Sequence, residues 1–225
     1  MVPFDVVIPW RSDDGPRQKI FDWVLERWVM AYGDDTVMIA YGDSGGYPFS
    51  RSRTRNELAD RTKNDVIVFA DADTPPIRAF VDEAVEKAYA SHGWCIAYDE
   101  GEYYNLDADV TARYLDLSPM TDIVKPSTYE HKLTSWAGMI AVHRDAFQKT
   151  GGYDERFVGW GHEDVAFRLA LDNDVAPHER VNGGYVVHLW HPRQEATFDT
   201  EVELANRELF NREYKDKYSW RDERV

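Results

Sequence analysis

Cysteine, long apolar runs and positive charge are all scarce in this sequence of 225 residues. The single cysteine, Cys95, lies in the apolar stretch GWCIAY, so the chain cannot form an internal disulfide and the thiol is expected in the core. No stretch approaches the roughly 20 apolar residues that span a bilayer. The first ten residues, MVPFDVVIPW, also lack the pattern of a signal peptide. We therefore expect a cytoplasmic protein of a reducing compartment, without a transmembrane segment.

Acidic residues outnumber basic ones, with 41 Asp and Glu against 26 Lys and Arg, a formal charge of −15. This charge disfavours binding to the phosphate backbone of nucleic acids, although it leaves room for a basic pocket that holds one small phosphate ligand. Hydrophobic residues make up 43% and aromatic residues 14%, enough for a proper core. The length predicts one large domain, or one domain with an appendage.

Apolar strands and amphipathic helices alternate through the first half of the chain. The segments FDVVIPW, TVMIAYG, DVIVFADAD and GWCIAY are typical of strands. Helices are predicted from Pro16 to Tyr32, over the basic segment RSRTRNELADRT, and around Phe80 to Tyr89. This order predicts an α/β fold with an open, mostly parallel sheet between helices. Ligands of such sheets bind beyond the carboxyl ends of the strands.

The second half has a weaker pattern. Residues 99–135 are polar and mixed, and we expect a substrate-facing loop region with short elements there. WAGMIAVHRDAF predicts a strand and a turn into a helix, another helix begins near Glu163, and GGYVVHLWHP predicts a last strand. The tail predicts a docked helix with an apolar face made of Val202, Ala205 and Leu209.

Two aspartates, Asp71 and Asp73, end the predicted third strand in VIVFADADTPP. Without compensation they would repel each other and the pKa of one would rise. A turn enforced by Pro75 and Pro76 would let both face one divalent cation, and oxygen ligands suit Mn²⁺ or Mg²⁺. Two acids on a solvated loop are the simpler alternative, but the position at a strand end favours a metal site.

Two further clusters carry candidate functional groups. GWGHEDVAF places Glu163 and Asp164 at a helix start, where acids are favoured by the helix dipole and where Asp164 can pair with Arg168. His188 and His191 follow the predicted last strand, and either can supply a nitrogen ligand to a metal.

Five segments resemble, in chain order, the motifs of nucleotide-sugar glycosyltransferases of the GT-A fold. These enzymes are of the kind grouped with family 2, with the β-1,4-galactosyltransferases and with the polypeptide N-acetylgalactosaminyltransferases. The segments are VVIPWR, SRTRNELAD, FADADT, GGYDERFVGWGHEDVAFRLAL and VVHLWHP. The resemblance spans most of the chain. It implies a Rossmann-like GT-A sheet, a nucleotide-sugar donor, most simply a UDP-sugar, a glycan, protein or lipid acceptor, and Mn²⁺ or Mg²⁺.

The resemblance also implies which residues form the nucleotide side of the site. Pro9 and Arg11 would lie beside the base and ribose, and Asp43 would contact the nucleoside. Arg55 and Asn56 would approach the diphosphate or the uracil.

By the same resemblance, a metal site forms between the end of the predicted third strand and the end of the predicted last strand. Asp73 would ligate the metal directly, and Asp71 would lie near the ribose or a metal-bound water. His188 or His191 would complete the ligands of the metal.

The Trp-Gly-x-Glu-Asp motif implies the acceptor side. Trp160 would stack on sugar, Glu163 would hold a sugar, and Asp164 would be the catalytic base. Gly161 and His162 belong to the same motif, although His162 stands where galactosyltransferases often have a second glycine, so acceptor contacts are expected to differ. The intact Glu-Asp pair favours inversion at the anomeric carbon, whereas a retaining enzyme would need no such base.

The expected domain arrangement is a GT-A domain over residues 1–195 with a C-terminal helical extension over 196–225. Within that domain, residues 1–98 would bind the nucleotide and residues 99–195 the acceptor.

Three other classes of protein are compatible with parts of the pattern. A phosphatase of the haloacid-dehalogenase type also has Asp-x-Asp after a strand, but it expects Thr or Val where Pro75 stands. A sugar nucleotidyltransferase expects a Gly-rich loop after the first strand, and PWRSDDGPR lacks those glycines. A non-catalytic sugar-binding or structural protein is the remaining alternative, and the intact acids argue against it.

Overall fold

The structure is a computed structural model that describes residues 2–12, 15–41, 49–192 and 200–218. Its strands are β1 (Phe4–Trp10), β2 (Val37–Tyr41), β3 (Val66–Ala70), β4 (Trp94–Ile96), β5 (Tyr103–Asn105), β6 (His131–Leu133), β7 (Met139–His143), β8 (Glu179–Arg180) and β9 (Val186–His188). Its helices are α1 (Pro16–Tyr32), α2 (Arg51–Ala59), α3 (Arg78–Ser91), α4 (Ala108–Leu115), α5 (Arg144–Thr150), α6 (Glu163–Asp174) and α7 (Glu201–Phe210).

The main sheet has six strands in the order β2-β1-β3-β7-β4-β8. β1 pairs in parallel with β2 and β3, whereas β7 runs antiparallel to its two neighbours, β3 and β4. Every residue of β1, β3, β4 and β7 is buried, as in a sheet that is covered on both faces. The predicted α/β class with a mostly parallel sheet is confirmed. Because β7 and β8 come from residues 99–195, the two expected halves share this sheet.

A second sheet has three short strands in the order β6-β5-β9; β5 and β6 lie in the region where the sequence showed no period, and β9 is the predicted last strand. β5 pairs antiparallel with β6 and in parallel with β9. Its register sets Asn105 opposite His188, so the late histidine strand belongs to this sheet and not to the main one. The loop region expected over 99–135 therefore contains β5, α4 and β6.

Helix α1 has the bounds that the sequence predicts and anchors the middle of the chain. Its Trp23 indole donates a hydrogen bond to the carbonyl of Leu117 at 3.2 Å. The buried Arg27 guanidinium donates to the carbonyls of Pro119 and Thr121, at 3.1 and 2.6 Å. These bonds hold the irregular segment after α4 against the helix, so α1 supports both halves of the chain.

The C-terminal helix α7 is present, but the predicted apolar face is wrong. Leu209 is buried, whereas Val202 is 40% exposed and Ala205 is exposed. The buried face consists of Glu203, Asn206, Leu209 and Phe210. A π-helical turn over Asn211–Lys215 continues the helix. No helix within the described ranges has the length and apolar composition needed to cross a membrane.

A buried carboxylate fixes the entry into β3. One oxygen of Asp5, which is 3% exposed, accepts hydrogen bonds from the backbone N–H groups of Lys63 and Asn64, both at 2.8 Å. Arg144 holds the same turn from the other side, through the Asn64 carbonyl at 3.0 Å and the Thr62 hydroxyl at 2.8 Å. The turn is thereby set against β1, and β3 starts in its register.

We expect Asp5→Ala to lower the free energy of unfolding by about 1–3 kcal/mol, because two backbone N–H groups lose their acceptor. Urea unfolding measures the change. The exposed Asp35 provides the control, since Asp35→Ala should stay within about 0.5 kcal/mol of the wild type. Equal losses in the two variants would contradict the role of Asp5.

Candidate active site

A cleft of about 1060 Å³ opens at the carboxyl ends of β1 and β3, between the main sheet and the second sheet. Seven of the residues singled out from the sequence line it together with Trp160, so they share one site although they are far apart in the chain. They are Pro9, Arg11, Asp71, Asp73, Asp164, His188 and His191. Residues of the weakly patterned region, Glu130, His131, Leu133 and Ser135, form part of the opposite wall.

The turn that carries the two aspartates is fixed by main-chain bonds. The N–H of Thr74 donates to the carbonyl of Asp71 at 3.2 Å and closes the turn. The carbonyl of Gly138, just before β7, accepts from the Asp71 N–H at 3.0 Å and from the Thr74 hydroxyl at 2.9 Å. The chain thus turns before Pro75, which differs from the expectation that the two prolines enforce the turn.

Asp73, His188 and His191 form a group that could hold a metal ion, with one ligand atom from each residue within 4.8 Å of the others. His188 Nε2 lies 3.5 Å from Asp73 Oδ1, and His191 Nε2 lies 3.2 Å from Asp73 Oδ2. Both histidines therefore converge on the same carboxylate. Asp71 does not belong to this group among the described residues.

The main chain also brings the histidines to the aspartates. The Leu189 N–H donates to the carbonyl of Asp73 at 3.0 Å, and the Leu106 N–H donates to the carbonyl of His188 at 3.0 Å. The Tyr103 ring lies 5.8 Å from the His188 ring. Gly138, with φ +84°, makes room for Tyr103, because a Cβ there would lie 2.7 Å from the tyrosine ring. The position of the metal group therefore depends on backbone contacts between both sheets.

The charges of this group reinforce one another. Burial raises the pKa of Asp73, but the charges of His188 and His191 outweigh it and bring the pKa well below its ordinary value. Burial lowers the pKa of His188, whereas Asp73 raises it and sets the net direction upward. Arg17 makes a smaller, opposite contribution at His188, so its charge acts at the metal group.

Arg55 connects the two sides of the cleft. Its guanidinium, 2% exposed, donates to Asp164 Oδ1 at 2.8 Å and to Asp71 Oδ1 at 2.9 Å. It lies 3.8 Å from Glu163 and over the ring of Tyr153. Burial lowers the pKa of Arg55, but the carboxylates around it raise it above its ordinary value. Arg55 is thus a buried bridge between carboxylates, which differs from the diphosphate contact that the resemblance implies.

Helix α6 begins at the two acids of the Trp-Gly-x-Glu-Asp motif, as predicted. His162 precedes it with φ +71°, a left-handed conformation in which glycine is unstrained, and this accounts for a glycine at that position in similar motifs. Asp164 pairs with Arg55, whereas Arg168 lies 3.8 Å from Asp172. Asp164 thus pairs with an arginine of α2, whereas the sequence also allowed a pair with Arg168 of its own helix.

Glu163 is buried, 4% exposed, and does not line the cleft. Its Oε2 accepts from the Gly161 N–H at 3.0 Å, and its Oε1 forms an ion pair with Arg51. Burial and the charge of Asp164 raise its pKa, against the opposing charge of Arg51. Glu163 therefore holds the loop before α6 and the start of α2, which supports a positioning role more than direct contact with a sugar.

The predicted nucleotide residues divide into two groups. Pro9 and Arg11 line the cleft, whereas Asn56 is directed elsewhere. Asn56 donates to the carbonyl of Tyr153 at 2.8 Å and to Glu155 at 3.0 Å, and it accepts from the Tyr153 N–H. Its amide thus fixes the loop after α5 and takes no part in the cleft. Asp43 lies outside the described residues.

Arg17, Arg51 and Trp190 are among the lining residues that were not singled out from the sequence. Arg51 belongs to the segment whose basic start the sequence does show. Arg17 follows Pro16 at the start of α1, and its guanidinium lies over the Trp10 ring at 5.2 Å. Only the position of that helix start beyond the carboxyl end of β1 could have indicated Arg17.

The loop that presents Trp160 is held by the C-terminal helix. Trp160 is 43% exposed and lines the cleft. Asn206 of α7 donates to the carbonyls of Val158 and Trp160, at 2.8 and 3.1 Å, and accepts from the Val158 N–H at 3.3 Å. The ring of His162 lies 5.1 Å from that of Phe210, so it packs against α7 and does not line the cleft. The extension therefore shapes the wall that carries Trp160.

Comparison with known proteins gives one family match over part of the chain. Residues 119–192 match a family model described as the N-terminal domain of galactosyltransferase. No curated protein matches the sequence.

Solved structures give the fold. A mutant of Drosophila β1,4-galactosyltransferase 7 in complex with manganese, UDP-Gal and xylobiose has 15% identity and a TM-score of 0.56, covering 100% of this chain and 82% of that one. GalNAc-T7 with UDP, GalNAc and Mn²⁺ has 13% identity and a TM-score of 0.54, covering 97% of this chain and 50% of that one. TarS of S. aureus with UDP-GlcNAc has 10% identity and a TM-score of 0.54, with 86% and 60% covered. The expected fold and the resemblance are confirmed.

We expect Arg55→Met to lower the free energy of unfolding by about 3 kcal/mol, because it leaves Asp71, Asp164 and Glu163 without the buried cation between them. Urea unfolding followed by fluorescence measures this loss.

Arg53 on the same helix is the matched control. Its ion pair with Glu155, at 3.4 Å, is about half exposed on both sides. Arg53→Met should therefore cost less than about 1 kcal/mol. If both variants unfolded alike, Arg55 would not be the bridge described above.

Proposed function

We propose that this chain, a protein of the GT-A glycosyltransferase fold with a galactosyltransferase-like segment, is a metal-dependent glycosyltransferase. It moves a sugar from a nucleoside-diphosphate sugar, most simply a UDP-sugar, to an acceptor hydroxyl, with inversion. The observation that carries the proposal is that one cleft is lined both by the metal-ligating group of Asp73, His188 and His191 and by the carboxylate of Asp164. The similar solved structures that contain manganese with UDP-Gal, or Mn²⁺ with UDP and GalNAc, support the donor class.

A divalent cation fits the group formed by Asp73, His188 and His191. The separations of 3.2 and 3.5 Å between carboxylate and imidazole atoms are close to the roughly 3 Å between neighbouring ligands bound at about 2.1 Å. Asp73 Oδ1 is buried and accepts no hydrogen bond from the described residues. Two imidazoles with one carboxylate favour Mn²⁺ over the harder Mg²⁺. Such an ion, when bound, neutralises charge on the departing nucleoside diphosphate.

Arginines line the cleft near this group in a chain that is otherwise acidic. Arg11 lies over the Phe49 ring at 5.3 Å, and Arg17 lies close enough for its charge to lower the pKa of His188. Because a guanidinium binds phosphate through a planar pair of donors, Arg17 suits the diphosphate. Arg11 is assigned to the nucleoside end, as the resemblance implies. Because Arg55 is already bound to the carboxylates of Asp71 and Asp164, we assign it a structural role.

The transfer step requires a base on the face opposite the leaving group. The acceptor hydroxyl oxygen attacks the anomeric carbon, the bond from that carbon to the diphosphate breaks, and the diphosphate leaves with the bonding electron pair. The hydroxyl proton passes to the carboxylate of Asp164. Arg55 fixes one oxygen of Asp164 at 2.8 Å and thereby orients the base towards the cleft. Asp71 serves the same bridge and lines the nucleotide side.

The wall around Trp160 suits a carbohydrate acceptor. The indole of Trp160 is 43% exposed and that of Trp190 is 39% exposed, and both line the cleft. Flat aromatic surfaces stack on the apolar face of a sugar ring. His131 and Glu130 from the second sheet face the same space and offer polar contacts to hydroxyl groups.

We expect Mn²⁺ with UDP to raise the melting temperature of the wild type and to raise that of Asp73→Ala far less, because the carboxylate of the metal group is lost. At ligand concentrations 100-fold above Kd the stabilisation is about 2.7 kcal/mol, or roughly 5–10 °C for a chain of this size. Differential scanning fluorimetry measures it.

The exposed Asp109 serves as control, and Asp109→Ala should keep the full shift. An undiminished shift in Asp73→Ala would remove Asp73 from the metal site.

We expect Asp164→Asn to retain the thermal shift with Mn²⁺ and UDP while sugar transfer falls about 10²–10⁴-fold, since the amide cannot accept the proton. Transfer is measured by NMR of the product anomeric proton, which also reports inversion. UDP-Gal with xylobiose is the first pair to test, followed by other UDP-sugars.

Asp174→Asn, at the exposed end of the same helix, should be as active as the wild type. Full activity in Asp164→Asn would exclude Asp164 as the base. Nucleotide binding by the wild type without transfer to any acceptor would favour a non-catalytic sugar-binding protein.

A further inference from the structure

A second group of metal-ligating side chains lies outside the cleft. His92, His143 and Asp145 each place one ligand atom within 4.8 Å of the others. Asp145 Oδ2 lies 3.2 Å from His92 Nδ1 and 3.6 Å from His143 Nδ1, and the two imidazole rings are 4.1 Å apart. Two imidazoles thus share one carboxylate oxygen.

These distances match a tetrahedral metal site. Zn²⁺ binds imidazole nitrogen and carboxylate oxygen at about 2.0–2.1 Å, so adjacent ligand atoms of a tetrahedral site lie about 3.3 Å apart. The separations of 3.2 and 3.6 Å bracket that value. His143 is buried, whereas His92 and Asp145 are about two-thirds exposed. Two ligands can therefore adjust, and one side of the group is open to a water ligand.

The three side chains come from separate elements. His92 follows α3 with φ +51° and ends that helix, His143 is the last residue of β7, and Asp145 lies in the first turn of α5. An ion bound here would join the end of α3 to the start of α5. This junction has no covalent link, because the only cysteine, Cys95, is free.

The group is remote from the cleft. In the β3–β7 register, His143 pairs with Val66 at the start of β3, whereas Met139 pairs with Ala70 next to the aspartate turn. His143 and Met139 are four positions apart along β7, which corresponds to about 13 Å at the usual rise per residue. An ion at this group would therefore stabilise the fold and take no part in sugar transfer.

Two existing contacts compete with the ion, the first being the hydrogen bond between His92 Nδ1 and Asp145 Oδ2 at 3.2 Å. His143 Nδ1 accepts a hydrogen bond from the Asp145 N–H at 3.1 Å, which caps α5. An ion bound at Nδ1 would replace this bond, because the same lone pair serves both. Burial, with the charge of His92 adding to it, lowers the pKa of His143.

We propose that His92, His143 and Asp145 form a second, structural metal site that takes Zn²⁺ with a water as fourth ligand. The proposal does not depend on the glycosyltransferase function, because none of the three residues lines the cleft.

Zn²⁺ binding to the tag-free full chain tests the site, with a tag omitted because polyhistidine binds the ion. Equilibrium dialysis at pH 7.5 should give two ions per chain for the wild type. The double variant His188→Ala/His191→Ala should keep one ion, because it lacks the imidazoles of the cleft group. Adding His92→Ala, or Asp145→Asn, to the double variant should weaken the remaining site at least about tenfold and abolish the rise in melting temperature caused by Zn²⁺.

His178→Ala is the matched control, since His178 and Asp172 form a histidine–aspartate pair at 3.1 Å without a second imidazole. Adding it to the double variant should leave the remaining ion in place. Absence of Zn²⁺ binding in the double variant, together with a wild-type stoichiometry unchanged by His92→Ala, would overturn the proposal. Equal weakening by His178→Ala and His92→Ala would overturn it as well, because binding would then reflect histidine content alone.

Discussion

The candidate site depends on one buried cation. Arg55 comes from α2, and its guanidinium reaches the end of β3 through Asp71 and the start of α6 through Asp164. Two carboxylates at this spacing would repel each other in a poorly solvated place, and a buried guanidinium without partners would be equally unfavourable. Each therefore requires the others. The end of β3 and the start of α6 are held in one geometry at the cleft because they share this residue.

The metal group is positioned mainly by the backbone. The aspartate turn is bonded to Gly138, and the Leu189 N–H is bonded to the carbonyl of Asp73. Side chains of the group are thus aimed by strands that belong to different sheets. This explains how Asp73 and His188, more than a hundred positions apart, can approach within 3.5 Å. It also explains why Gly138 has no side chain, since Tyr103 occupies the space beside it.

Helices and strands with a clear hydrophobic periodicity could be predicted from the sequence. Elements that are set by tertiary contacts could not. Helix α1 and the strand before Asp71 have long apolar patterns, and their bounds followed directly. β5 and β6 have three residues each, too few for any period to appear. The face of α7 was misjudged because two of its buried residues, Glu203 and Asn206, are polar, and Asn206 is satisfied by a distant loop.

The functional residues divide in the same way. Residue type and chain order singled out Asp73, His188 and Asp164, and the structure brings all three to one cleft. The partners of Arg55 and Asn56 could not be read from the sequence, since both depend on a loop that approaches from about a hundred positions away. Arg55 was predicted to approach the diphosphate or the uracil because of the family resemblance. In the structure it is buried and bound to carboxylates instead.

The bond between Asn206 and the loop of Trp160 has a consequence for the order in which the molecule assembles. The strands of both sheets, with Asp73 and His188, precede α7 in the chain and are therefore synthesised before Asn206. The carbonyls of Val158 and Trp160, however, accept hydrogen bonds from Asn206, which is synthesised 46 or more residues later. The wall that carries Trp160 is thus the part of the cleft that depends on the last helix of the described chain to be synthesised.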